Sequence, residues 1–334
     1  MNKKIGLVIQ GPLLSIGRAG NNLHASVDKL KSEGGVIHFD CRENINSIIK
    51  EFGHLFSEVV VSTWQNEVKP GESFEGAKLV ASPDPGGIKQ VGHYKDNNKF
   101  RQFLSTLNGI KELEKSGVEY VLKMRTDQHL DLNRLVDSFF KEMEKHSNPK
   151  AIGATVIHPP TFLLHDLYFM SRLDALKEFC EAILGYERFE FIDSVHREMV
   201  LKHAYYSYRK DIGVSDPAYF PIAPPQGVSG ATRKIFDYMF DNVYFDLDPE
   251  LFRKTLWRGA YYETDHVDRL VNKAGPTRKF NIPLFISTDW DRYFHFRLQT
   301  SGTPISPGDN IQSKLGNFGW QIWNLIRKVV NMVR

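Results

Sequence analysis

The sequence predicts an α/β protein with a mostly parallel sheet flanked by helices, and three observations predict it. Strand-like and helix-like runs alternate from Ile5 to Arg125, the pattern of βαβ units. The runs "IGLVIQG" and "EVVVSTW" are apolar without alternation, as strands buried on both faces are. Polar and turn-forming residues gather where the strand runs end: Gln10-Gly11-Pro12, Ser62-Thr63-Trp64, Pro83-Asp84-Pro85 and Arg125-Thr126-Asp127. The carboxyl ends of parallel strands are where such sheets hold ligands.

The elements follow in order. "IGLVIQG" is the first strand, closed by a glycine. In "CRENINSIIKEFGHLF", residues Ile45, Ile48, Ile49, Phe52, Leu55 and Phe56 share one helical face. "EVVVSTW" is rich in β-branched residues, and "AKLVASPDPGG" is a strand that runs into a Pro/Gly turn. "NNKFRQFLSTLNGIKELEKSG" is a helix with a glycine at its stop, and "YVLKMRTDQ" is the fourth strand. Further on, "AIGATVI" reads as a strand, "DLYFMSRLDALKEFCEAIL" as a strand running into a helix, and "VHREMVLKHAYY" as another helix. "DPAYFPIAPPQGVSGATRK" is a Pro/Gly-rich loop too long for a simple connection. No internal repeat or low-complexity tract interrupts the order.

Composition narrows the function. The chain has 334 residues, the size of one large or two small domains, and a net charge of +3. That weak charge argues against a general nucleic-acid binder. Two distant cysteines, Cys41 and Cys180, make no disulfide framework and suit a reducing compartment. "MNKKIGLVIQGPLL" lacks a small-residue cleavage site and is broken by Gln10-Gly11-Pro12, so it reads as a buried strand and not a signal peptide. No apolar stretch reaches the ~18 residues that a membrane-spanning helix needs. Twelve histidines carry neither an H-E-x-x-H motif nor a Cys/His zinc spacing.

On the residues alone, Asp127 has two readings. It holds Mg²⁺ or Mn²⁺ against a nucleotide diphosphate, with Arg125 and Lys123 adding charge. Otherwise it caps the helix beginning at "LNRL", and Arg125 pairs with a surface carboxylate. Trp64 is a stacking face or a core residue. Asn98, Arg101 and Gln102 lie on one face of their helix, as a ligand contact or a solvated stripe.

"VIQGP", "VVVSTW", "NNKFRQ" and "YVLKMRTDQ" occur in that order. With them the chain resembles the WavE family of bacterial lipopolysaccharide and capsule biosynthesis proteins, regarded as glycosyltransferases, over roughly residues 5 to 200. The resemblance implies a GT-A-like fold with a nucleotide-sugar donor, a UDP-sugar, bound across the first half. It sets Arg125-Thr126-Asp127 in the place of a D-x-D metal motif, of which only the last aspartate is matched. Asp127 then holds Mn²⁺ or Mg²⁺. Gln10, Gly11, Pro12, Thr63, Trp64, Asn98, Arg101, Lys123, Arg125 and Thr126 bind the donor. The expected division is a nucleotide-sugar-binding half over 1–150, an acceptor and catalytic half over 151–310 of the same domain, and, from its own residue pattern, a C-terminal helix over 311–334.

An inverting transferase needs one carboxylate to take the acceptor's hydroxyl proton. "FEFIDSVHREMVLKHAYY" offers Glu198 as first choice and Asp193 as second. In "NFGWQIWNLIRKVVNMVR" an apolar face from Ile322 to Val333 opposes a basic polar face with Arg327, Lys328 and Arg334. This suits a helix lying on an anionic membrane, or one docked on protein. Taken together, the sequence predicts a glycosyltransferase extending a glycan or lipid-linked glycan at the inner face of the cytoplasmic membrane. A sugar nucleotidyltransferase and a non-catalytic assembly protein on the same fold are the alternatives. The first lacks support from a compact Gly-rich loop in "GPLLSIGRAGNN".

Overall fold

The computed structural model describes residues 3–22, 35–89, 96–154, 157–158, 163–164, 167–184, 244–248 and 250–262. All of them lie in one compact unit formed by residues 1–215 and 235–278. The amino-terminal part runs β1 (Ile5–Gln10), β2 (Leu14–Gly17), β3 (Ile37–Asp40), α1 (Cys41–Phe52), β4 (Glu58–Trp64), β5 (Lys78–Ser82), β6 (Ile88–Lys89), β7 (Asp96–Asn97), α2 (Lys99–Glu114) and β8 (Tyr120–Arg125). It continues through β9 (Gln128–His129), α3 (Leu132–Met143), β10 (Ile152–Ala154), β11 (Ile157–His158), β12 (Leu163–Leu164), β13 (Phe169–Arg172) and α4 (Leu173–Leu184). Further along the chain come β14 (Tyr244–Asp246), α5 (Glu250–Arg253), β15 (Leu256–Trp257) and β16 (Ala260–Tyr261).

A seven-stranded sheet has the order β14-β10-β13-β8-β1-β4-β5. The four strands predicted from the first half, β5, β4, β1 and β8, pair in parallel. β13 runs antiparallel to both β8 and β10, and β14 is parallel to β10. This is the mostly parallel α/β sheet flanked by helices that the sequence predicts. Strands from beyond residue 150 enter the same sheet as the first four.

Every residue of β1 is buried, because helices cover both faces. Ile5, Leu7 and Ile9 join Leu122 and Met124 of β8 in one core with Ile45, Ile48 and Phe52 of α1 and Leu135 and Phe139 of α3. The opposite face receives α2. There Gly109 lets the helix approach so closely that a Cβ would lie 2.5 Å from Val8 Cγ1. A mid-helix glycine costs about 1 kcal/mol of helix propensity, so the close approach explains it better than any local preference. Ser62 Oγ donates to the Ser105 carbonyl at 2.7 Å, and Ser105 Oγ donates to that of Ser62 at 2.9 Å. The pair ties β4 to α2 with no buried polar atom left over. Among the described residues no helix is long and apolar enough to cross a membrane.

The chain steps from β1 to β4 and β5 on one side, then returns to β8 on the other. The direction of winding therefore reverses between β1 and β8. In sheets of this kind ligands bind outside the carboxyl ends at that reversal. Gln10 and Arg125, the last residues of the two strands, are Cα partners across it.

Candidate active site at the carboxyl edge of the sheet

Two groups of residues form at this edge. The first spans β1, β4 and α2. Gln10 and Trp64 point to the α2 side, since they share strand parity with Val8 and Ser62. The Arg101 guanidinium lies 5.4 Å from the Trp64 ring centroid. It pairs with Asp84, which follows β5, and Nη1 donates to Asn98 Oδ1 at 3.3 Å. Thr63 is wholly buried and its hydroxyl has no partner among the described residues; neither has the buried Nε of Arg101. The structure thus brings Gln10, Trp64, Asn98 and Arg101 together, but Gln10 and Trp64 are buried, at 3% and 2% exposed, so Trp64 is a core residue and not an open stacking face. Thr63 has the opposite parity and turns toward the α1 side with Val59 and Val61.

The second group centres on Asp127, which is 1% exposed. Arg125 grips its carboxylate as a fork: Nε donates to Oδ1 and Nη2 to Oδ2, both at 2.9 Å. Oδ2 also accepts from Ser15 Oγ at 2.9 Å, Trp257 Nε1 at 3.0 Å and Arg258 Nε at 3.2 Å. Arg258 Nε donates to Ser15 Oγ as well, at 2.9 Å. Burial alone would raise the Asp127 pKa. Arg125, aided by Arg258 and the Ser15 hydroxyl, outweighs burial and holds it down at about 2.

Local structure explains how residues so far apart in sequence meet. β15 pairs antiparallel with β9, so Trp257 lies opposite Gln128. β15 and β16 are joined by Arg258 and Gly259, with φ of 48° and 76°. Two consecutive positive φ values are what a two-residue type I′ hairpin turn needs. The Arg258 N–H donates to the Asp127 carbonyl at 2.9 Å. Trp257 stacks on Tyr262, and Tyr262 on Phe252, which fixes the ribbon against α5. From the other side, Asn44 Nδ2 of α1 donates to the carbonyls of both Thr126 and Gln128 at 2.8 Å.

Several sequence expectations change with this geometry. Asp127 does not cap the helix at "LNRL"; Asp131 does, accepting from the Arg134 N–H at 3.0 Å. Lys123 shares a strand face with Arg125 but sits two residues further down, opposite Val8 and Phe169. It is 0% exposed, with Nζ 4.9 Å from the Phe169 ring, and does not reach the rim. Thr126 is buried and donates to the Pro12 carbonyl at 2.8 Å, which pins the loop leaving β1. Gly11, with φ 137°, makes room for that hydroxyl: a Cβ there would lie 2.7 Å from Thr126 Oγ1. Gly11, Pro12 and Thr126 therefore hold the loop's shape by contacts with one another.

A divalent cation does not fit at Asp127 as it stands. Both carboxylate oxygens are taken by protein donors, and two guanidinium groups would be the cation's neighbours. Among the described residues no three His, Cys, Asp or Glu side chains gather as a metal site. A cleft of about 360 Å³ adjoins Asp127, lined also by Asp40, Glu43, Asn44 and His129. Glu198, Asp193 and the helix expected over 311–334 lie outside the described residues.

Ser15, Asn44, Trp257 and Arg258 were not singled out from the sequence. "LWRGAYY" held a usable signal for two of them, a glycine turn between two aromatic-flanked runs. Nothing local to Ser15 or Asn44 marks them, because their partners are far away in the chain.

Residues 5–167 match the family described as WavE lipopolysaccharide synthesis, so the resemblance carried by the sequence motifs is shown over that span. No curated protein is matched by the chain. Among solved structures, one similar chain is 4-diphosphocytidyl-2C-methyl-D-erythritol synthase from Anaerococcus prevotii, at 11% identity, TM-score 0.34, and 81% of this chain and 97% of that one covered. Another is mannose-1-phosphate geranyltransferase from Thermus thermophilus, at 14% identity, TM-score 0.30, and 59% and 67% covered. A third is CMP:2-keto-3-deoxy-manno-octonic acid synthetase in complex with CTP, at 11% identity, TM-score 0.33, and 73% and 90% covered.

Proposed function

We propose that this protein is a glycosyltransferase that moves a sugar from a nucleotide-sugar donor, a UDP-sugar, to a growing lipopolysaccharide or capsule glycan. The observation that carries this reading is the meeting of Gln10 and Arg125 at the winding reversal of the sheet. It occurs in a chain matching a lipopolysaccharide-synthesis family over residues 5–167. In this reading Arg101 offers a guanidinium to the donor, while Trp64, 2% exposed, packs beneath Arg101 as a core residue. The unpartnered Arg101 Nε is a donor that the ligand can meet. Glu198, with Asp193 as second choice, takes the proton of the attacking hydroxyl, inverting the anomeric carbon. The basic helix over 311–334 brings the enzyme to a lipid-linked acceptor at an anionic membrane face.

A panel of nucleotide sugars, scored for thermal stabilisation and for slow release of nucleoside diphosphate, tests the reading. One donor should stabilise the protein and release its diphosphate. Release of pyrophosphate from a nucleoside triphosphate and a sugar phosphate would show a nucleotidyltransferase instead. No response to any nucleotide would leave a non-catalytic assembly protein.

A further inference from the structure

We propose that Arg125 and Arg258 supply the positive charge that meets the donor's diphosphate, and that Asp127 orients both guanidinium groups instead of holding a divalent cation. The inference deepens the glycosyltransferase reading and rests on it. Three observations carry it.

The first is the saturation of Asp127. One carboxylate accepts five side-chain hydrogen bonds from four residues, three of them from guanidinium N–H groups. A cation bound there would displace these donors and face two charges of its own sign. The second is placement: the carboxylate of Asp127 holds two guanidinium groups, those of Arg125 and Arg258, beside the strand ends where an anionic ligand is expected. Arg125 keeps 23% of its side chain exposed and Arg258 11%, so neither is sealed away. No acceptor among the described residues meets Arg258 Nη2. The third is the turn. Arg258 holds a positive φ, which strains a residue with a side chain. Glycine or asparagine would make this turn with less strain, so turn chemistry does not explain an arginine there. Its guanidinium, packed 4.7 Å from the Trp257 ring centroid and aimed at Asp127, does.

The chemistry balances without a metal. The bond between the anomeric carbon and the diphosphate oxygen breaks, and its electron pair leaves with that oxygen. The acceptor oxygen bonds to the anomeric carbon, and its proton passes to the carboxylate base. Negative charge grows on the departing nucleoside diphosphate, where preorganised guanidinium donors stabilise it. Arginine suits this role because its fork is planar and remains charged.

Titration of the full chain with uridine, guanosine, adenosine and cytidine diphosphates, in EDTA and then in Mn²⁺, tests the inference. The diphosphate that binds should do so with the same dissociation constant in both. Arg258→Ala should raise that constant by about 10- to 100-fold, the size of a charge-assisted contact, and Arg258→Lys should recover part of the loss. Asp127→Asn should weaken binding equally with and without Mn²⁺, because it releases both arginines. Should these variants fail to fold, the EDTA comparison on the unaltered chain still decides. Binding that requires Mn²⁺, or an Asp127→Asn defect seen only with Mn²⁺, overturns the inference and leaves the glycosyltransferase reading standing. Failure to bind any diphosphate in either buffer overturns that reading and this one with it.

Discussion

The Asp127 carboxylate and the Arg101 guanidinium are satisfied to different degrees. Around Asp127 one carboxylate accepts from four residues. At β4 the Arg101 Nε and, on the other face of the sheet, the Thr63 hydroxyl have no partner among the described residues; beside Asp127 the Gln128 amide has none either. Buried polar groups are almost always paired, so each exception asks for a reason. A saturated cluster holds a shape and gains little from a ligand at its centre. An under-satisfied group gains when a ligand brings the missing partner. On the proposed reading Asp127 is a scaffold for its two arginines, and Arg101 is a group that a ligand would satisfy.

Removing the centre of the saturated cluster should have the largest effect. Asp127→Ala leaves two guanidinium groups beside each other without their anion. Breaking a buried pair in this way costs about 3–5 kcal/mol, to be read as a lower urea midpoint. A midpoint near that of the unaltered chain would dissolve the contrast, because Asp127 would then be no keystone.

Acid should reproduce part of that loss. The folded Asp127 pKa, about 2, lies below its unfolded value, with the two arginines outweighing burial. Its contribution is therefore complete above pH ~4 and is lost as pH falls toward ~2. It amounts to about 2 kcal/mol at 1.36 kcal/mol per pKa unit. Urea titrations at several pH values should show this slope in the unaltered chain and a shallower one in Asp127→Asn. Equal slopes would place the acid-sensitive carboxylates elsewhere.

At Thr63 the expected effect is smallest and opposite in sign. Thr63→Val removes a buried hydroxyl that has no partner, so stability should stay level or rise by about 1 kcal/mol. Nucleotide affinity should be unchanged, because that hydroxyl is buried on the α1 side of the sheet. A clear loss of stability in the absence of nucleotide would mean that Thr63 is already satisfied, and its contrast with Asp127 would vanish.

The sequence by itself determined the central strands, their parallel pairing and the helices between them. Those features rest on periodicity and local composition: the unbroken apolar runs of β1 and β4, the Ile45–Ile48–Phe52 face of α1, the glycine after α2. It also located the rim, because strand ends carry Gln10, Trp64 and Arg125 whatever the tertiary detail. Tertiary structure decided what those residues touch. Lys123 and Arg125 have the same strand parity, yet register places one in the core and the other at the edge. Asp127 lies four residues before the aspartate that does cap α3, and only the packed structure tells the two apart. The partners of Asp127 include a hydroxyl 112 positions before it and a guanidinium 131 positions after it. Contacts across such separations leave no periodic trace in the chain, since nothing in the local sequence at either end depends on the other until the ribbon of β9, β15 and β16 closes over the loop.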